Sequence, residues 1–248
     1  SLVEIPRYEF YYAKASNLGA RTARGRILVY LSADATPIDG DWLQRLLEPF
    51  ADARVALTYG RQVPRSRCDP LLARDILATY PAEGRINDDP ARPGVLFSAA
   101  NGAILKADWE RHPFNDEAPG GSEDQRYAEH WLGEGRTSVY VPEAAVRHSN
   151  DRCGFLACLR DARQYGVWLK VRRHPVDFLK PGARSFLDRL FSRLVRDLAY
   201  CRGLPGGYRW MPWAALRRIA TETGFEQGLR RGAAIARRRK IWALYGNA

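Results

Sequence analysis

The chain is poor in cysteine, with four in 248 residues (Cys68, Cys153, Cys158 and Cys201) and no Cys-x-x-Cys pair. That density excludes a disulfide scaffold and points to free thiols in a reducing compartment. Long apolar runs are missing as well. No stretch approaches the ~20 residues needed to span a bilayer, and the opening residues do not have the pattern of a signal peptide. A cytoplasmic location is therefore expected. Internal repeats and low-complexity linkers are also lacking, which leaves an ordinary globular chain long enough for one large domain or two small ones. The sequence opens on Ser1 and its single methionine is Met211, so it carries no initiator.

Acidic residues are scarce in one part only. Residues 1–150 carry 18 Lys and Arg against 21 Asp and Glu, a net of −3, whereas 151–248 carry 21 against 7, a net of +14. A basic C-terminal region suits an anionic surface, either membrane or nucleic acid; the plainer alternative is a solvated helical face. The run Arg237-Arg238-Arg239-Lys240 would bind phosphates, but no recognisable nucleic-acid motif accompanies it, so no nucleic-acid partner is expected. Over 228–245, Leu229, Ile235, Ile241, Trp242 and Leu244 alternate with arginines. This is the composition of a helix lying on an anionic membrane surface.

The hydrophobic pattern predicts a helix over 11–23, a strand over 26–31, a short helix over 42–50 and a strand over 55–60. Residues 81–94, with Pro81, Gly84, Pro90, Pro93 and Gly94, read as a loop of the kind that covers active sites. A strand pair follows over 97–106, then a helix over 123–132 with Tyr127, Ala128 and Trp131 inward, and a short strand ahead of His148. Beyond residue 150 the pattern is helical, over 154–173, 185–202 and 213–245. The alternation defines an α/β fold over 1–150, followed by a basic helical region over 151–248.

One acidic residue stands out. Leu28-Val29-Tyr30-Leu31-Ser32-Ala33-Asp34 runs an apolar strand into Asp34, at the rim where α/β sheets bind ligands; the competing reading is an Asp capping the next helix. Glu123 and Asp124 open an amphipathic helix, where acids with Ser122 could serve only as caps. His148 follows a strand, and its alternative is a structural histidine held by Ser149 or backbone. His112, His130 and His174 read as structural.

The order of these points, with Asn17-Leu18-Gly19-Ala20-Arg21, Ala23-Arg24-Gly25, Tyr59-Gly60-Arg61-Gln62-Val63-Pro64-Arg65, Phe97-Ser98-Ala99-Ala100-Asn101-Gly102-Ala103 and Tyr140-Val141-Pro142, resembles the inverting glycosyltransferases of family 2, in particular their rhamnosyltransferase branch, over residues 7–170. The resemblance implies a nucleotide-diphosphate-sugar transferase (GT-A-like) fold: a mixed sheet flanked by helices, with the basic helical region as an extension. It implies Asp34 and His148 as ligands of Mg²⁺ or Mn²⁺, Asp124 as the base, and Glu123 beside it holding the acceptor or orienting a neighbour. Asn17, Arg21, Ala33, Arg61 and Gln62 would contact the donor, and Asn101, Gly102 and Trp131 the sugar or acceptor. Two departures matter. The usual Asp-x-Asp is here Ser32-Ala33-Asp34, and the Gln-x-x-Arg-Trp of processive members is here Gln164-Tyr165-Gly166-Val167-Trp168, which implies one sugar per binding event. Family members begin with a strand, a helix and a second strand that hold the base, so residues 1–12 are expected to be the remnant of that region. The implied activity moves rhamnose or a similar sugar from a nucleotide-diphosphate donor to a lipid-linked or polysaccharide acceptor in cell-surface glycan synthesis, at the inner membrane face. The alternative is a non-catalytic module that binds nucleotide sugar or glycan.

Overall fold

The structure is a computed structural model that describes residues 2, 4–92, 94–115, 122–149, 154–171 and 183–245, without the side chains of Val171, Ala183, Arg184 and 236–245. Cys153 and His174 lie outside the described residues. The chain divides into two compact units, Ser1–Asp151 and Arg152–Ala248.

In the first unit, α1 (Tyr12–Thr22) leads to β1 (Ile27–Leu31), and a tight turn leads to β2 (Thr36–Pro37). Next come α2 (Trp42–Leu47), β3 (Val55–Val63), α3 (Pro70–Thr79) and β4 (Arg85–Asn87). The unit ends with β5 (Asn101–Leu105), α4 (Lys106–Arg111), α5 (Glu123–Gly133) and β6 (Thr137–Arg147). The strands form one mixed sheet in the order β1-β5-β3-β6-β2, with β4 also on β6. Among the described strands only β3 and β6 pair in parallel. The first six residues of β3 are buried, as its central place and apolar run require. Tyr59, Tyr140, Phe97, Tyr127 and Trp131 fill the main core between sheet and helices.

Several elements differ from the sequence pattern. Helix α3 is unanticipated, although Asp69 caps it by accepting from the N–H groups of Leu71 and Leu72, with Pro70 in the first turn. The expected loop over 81–94 contains β4. The expected strand pair over 97–106 is a single strand, β5, that turns directly into α4. Strand β6 runs through Pro142, because the pairing with β3 slips between Gly60 and Gln62 and lets 142–145 bulge. Gly60 permits this: a Cβ there would lie 1.9 Å from the Ala144 carbonyl oxygen.

The second unit contains α6 (Phe155–Val171), α7 (Ala183–Arg202) and α8 (Met211–Tyr245). Helices α6 and α8 touch backbone to backbone along Gly224, Gly228 and Gly232, spaced one turn apart; a Cβ on Gly224 would lie 2.1 Å from the Leu159 carbonyl oxygen. Between α7 and α8 lies an ion-pair network. Glu222 is buried and meets Arg189, Arg193 and Arg218; Asp197 pairs with Arg218, and Glu226 with Arg189 and Arg230. On α7, Leu187, Phe191 and Val195 form an exposed apolar stripe, at 46%, 60% and 64% exposure. No described helix is long and apolar enough to cross a membrane.

Two glycine substitutions should move stability in opposite directions. Gly19 lies in α1 with nothing within 4 Å of a Cβ, so Gly19→Ala should stabilise by about 0.5–1 kcal/mol through backbone entropy. Gly224→Ala gains the same propensity, but overpacking costs about 1–3 kcal/mol, so its thermal midpoint should fall. Circular dichroism melts of the two variants provide the comparison.

Candidate active site

The site is assembled where β1, β3 and β6 end. After β1 the backbone turns within Ser32–Ala35, closed by the Ala35 N–H donating to the Ser32 carbonyl. The chain then pairs with the end of β6 through Thr36–Arg147 and Pro37–Val146. Because β6 ends at Arg147, this pairing sets His148 against the turn, and His148 Nε2 lies 3.2 Å from Asp34 Oδ1. Arg65, just past β3, donates its guanidinium to the Asp34 carbonyl and its backbone N–H to Ser149 Oγ. Partial desolvation pushes the Asp34 carboxyl upward, but the charge of His148, a Ser32 hydrogen bond and Arg65 outweigh it, and the net direction is down.

Behind the pair lies a buried amide. His148 Nδ1 is 2.7 Å from Gln62 Oε1, and Gln62 Nε2 donates to Ser98 Oγ at 2.9 Å. Gln62 and Ser98 are both buried. Since an amide oxygen only accepts, Nδ1 carries the imidazole proton; in neutral His148 the Nε2 lone pair then faces Asp34. Two acceptors 3.2 Å apart need a proton or a cation between them.

Ser98 belongs to the loop 96–100 that precedes β5, and this loop touches the start of α5. Gln125 clamps it by accepting from the Leu96 N–H and donating to the Phe97 carbonyl, and Asp124 Oδ2 accepts from the Ala99 N–H at 3.4 Å. Asp124 Oδ1 takes the Gln125 N–H at 2.8 Å. Burial, with the neighbouring charge of Glu123, raises the Asp124 pKa to about 6. Ser122 does not cap α5: it sits in the left-handed region at φ 65° and its hydroxyl makes no cap bond. A non-glycine residue there is locally strained, as backbone beside functional groups often is.

Other residues singled out in the sequence are used differently. Asn17 is buried, donating to the Phe114 carbonyl and accepting from Trp109 Nε1 and the Phe114 N–H, so its amide is spent inside the core. Arg21 is exposed in the last turn of α1, near the start of β1, and thus a strand length of about 17 Å from the Asp34 end. Arg61 donates Nε to the Tyr80 carbonyl at the end of α3. Asn101 is fully buried, bonding Trp42 Nε1, the Ala144 carbonyl and the Arg61 carbonyl, which leaves nothing for a sugar. Gly102 is a packing glycine, since a Cβ would lie 2.6 Å from Phe97 Cε2 and from the Ser98 carbonyl oxygen. Trp131 is buried, with the guanidinium groups of Arg111 and Arg136 over its ring. Ala33 is exposed in the turn beside Asp34. Arg65 and Ser98 are the residues that sequence reasoning passes over; both lie inside the quoted motifs, Arg65 just beyond a strand end. His112 and His130 stack on each other, with ring centroids 3.6 Å apart. Among the described residues no group of three or more His, Cys, Asp or Glu side chains converges as a metal site.

Residues 6–109 match the sequence model of glycosyl transferase family 2. The O-antigen chain rhamnosyltransferase RfbN of Salmonella typhimurium is 26% identical over 157 residues, which cover 61% of this chain and 50% of RfbN. The chain therefore spans about half the length of that relative. A mannosyltransferase from Pyrobaculum calidifontis, PcManGT, solved in complex with GDP-Man and Mn²⁺, shares the fold with a TM-score of 0.51 at 20% identity, over 91% of this chain and 66% of that one. The mixed sheet flanked by helices is of the GT-A type. The match over residues 6–109 and this fold make the chain similar to the family 2 glycosyltransferases.

The raised pKa of Asp124 carries a stability consequence. A carboxyl whose folded value lies above its unfolded one favours the native state while protonated, and that contribution is lost as pH rises from about 4 through about 6. Asp124→Asn, uncharged throughout, should melt higher than the parent protein at pH 8 and lose that advantage at pH 4. Melting curves at the two pH values test this.

Proposed function

We propose that the protein is an inverting glycosyltransferase, transferring a sugar from a nucleotide-diphosphate donor to an acceptor hydroxyl with the help of Mg²⁺ or Mn²⁺. The observation that carries the reading is the single hydrogen-bonded line from the Asp34–His148 pair, through Gln62 and Ser98, to the loop held by Asp124. One carboxylate and one imidazole with a free lone pair suit Mn²⁺, whose remaining positions go to phosphate oxygens and water. Such a cation, held by Asp34 and His148, would neutralise the charge that builds on the leaving diphosphate. The Arg65 guanidinium beside Asp34 is placed to add to that neutralisation.

Asp124 takes the acceptor proton as the hydroxyl attacks the face opposite the leaving group. A base with a pKa of about 6 is ionised at neutral pH and still basic enough to draw a proton in the transition state. Burial first, and then the charge of Glu123, keep that pKa up. The likeness to RfbN favours rhamnose as the sugar and a surface polysaccharide as the product. A lipid-linked acceptor at the inner membrane face fits the +14 charge of residues 151–248 and the exposed stripe of α7.

Asp124→Asn should retain donor binding and lose about 10²-fold or more in kcat, the range of a general base; near-normal turnover at saturating donor would move the role elsewhere. Asp34→Ala should abolish the Mn²⁺ dependence of donor affinity in calorimetric titrations. A protein that binds nucleotide sugar but neither hydrolyses nor transfers it is instead a binding module. Flotation with anionic vesicles but not with neutral ones would support the membrane-facing acceptor, and equal flotation with both would reject it.

A further inference from the structure

We propose that Gln62 is a positioning residue that couples the cation end of the site to its base end, an inference that rests on the function proposed above. Its side-chain hydrogen bonds run to His148 and Ser98 rather than to Asp34 or Asp124 themselves. The residue thus bridges the two groups that do the work. Toward β6, Oε1 accepts from His148 Nδ1 at 2.7 Å, which fixes the tautomer and aims Nε2 at Asp34. Toward the loop, Nε2 donates to Ser98 Oγ at 2.9 Å, and the next residue, Ala99, gives its N–H to Asp124. An uncharged amide is the side chain that can accept on one side and donate on the other. Because Gln62 is buried on β3, between β5 and the parallel β6, the two bonds are held by rigid backbone and shielded from water.

The two halves of the amide can be separated. Gln62→Leu removes both bonds. Gln62→Glu keeps an acceptor for Nδ1 and, as a carboxylate, loses the donor to Ser98. Ser98→Ala removes only the loop bond. Mn²⁺ binding is followed by electron paramagnetic resonance of the free ion, with no sugar present, so this readout is independent of turnover. Turnover is followed as nucleoside diphosphate release from GDP-, UDP- or dTDP-linked sugars.

Gln62→Leu should weaken Mn²⁺ binding by ~10-fold or more, the range of an outer-shell partner, and Gln62→Glu should restore it to within ~3-fold of the parent. Gln62→Glu and Ser98→Ala should bind Mn²⁺ normally, keep the donor KM and lose ~10-fold in kcat through misplacement of the Asp124 loop. Parent-like Mn²⁺ affinity in Gln62→Leu, or parent-like kcat in Ser98→Ala, overturns the coupling while leaving the proposed function intact. If the leucine variant does not fold, the other two decide: weakened Mn²⁺ binding in both, or full turnover in both, overturns the proposal. A parent protein that neither binds Mn²⁺ nor consumes any of the nucleotide sugars removes the underlying function, and the coupling with it.

Discussion

The rim of the sheet depends on a loop that can lie over β5 only because residue 102 has no side chain. With a Cβ at that position, the Phe97 ring and the Ser98 carbonyl would each have to move from a 2.6 Å contact. Asn101 pins the same corner from below, tying the start of β5 to the carbonyls of Arg61 and Ala144. The loop is then gripped at four points: by Gln62 at Ser98, by Ser138 at the Leu96 carbonyl, and by Gln125 and Asp124 from the helix. Each grip consumes a polar group that would be costly to bury unpaired. The carboxylate of α5 is thereby placed relative to the ends of β3 and β6 without any direct contact between them.

On the proposed function, this arrangement would let the site work with the single carboxylate of Ser32-Ala33-Asp34. A second acid two residues earlier would stand where the Ser32 hydroxyl now supports Asp34. In place of a second acid stands the His148 imidazole, just past β6, brought within 3.2 Å of Asp34 by the two-residue ladder between β2 and β6. An imidazole, with one lone pair to present, needs orientation that a carboxylate, with two equivalent oxygens, needs less. Hence the buried amide behind it.

What was legible in the sequence follows from periodicity and position. Strand β1 and the acidic residue past its end, the amphipathic α5 and the long helices of the second unit are local patterns, and they stand within a few residues of where those patterns put them. What was not legible is what only the tertiary structure decides. Asn101, Gly102 and Trp131 look like groups for a sugar, because polar, small and aromatic residues line such sites. Their neighbours in the fold engage them in ways the sequence does not show: Asn101 bonds Trp42 and two backbone carbonyls, a Cβ on Gly102 would meet Phe97 and Ser98, and two arginines lie over the Trp131 ring. Asn17 is similarly lost to the core. The short strands β2 and β4 have too few residues to show a period, whereas α3 was signalled by its Asp-Pro start and by the spacing of Leu72 and Ile76, and was passed over.

Charge in the second unit shows the same limit from another side. Counted along the chain, residues 151–248 have a surplus of cations, which suggests a surface for anions. In three dimensions three of the seven acids, Asp197, Glu222 and Glu226, are buried between α7 and α8, paired with Arg189 and Arg218 and with the more exposed Arg193. These arginines are structural: removing one partner would strand a buried charge at a cost of about 3–5 kcal/mol. The acids, however, are withdrawn from the surface along with them, one for one or nearly so. The remaining cations therefore face still fewer carboxylates, and burying the ion pairs leaves the outer surface more uniformly basic than the sequence count implies.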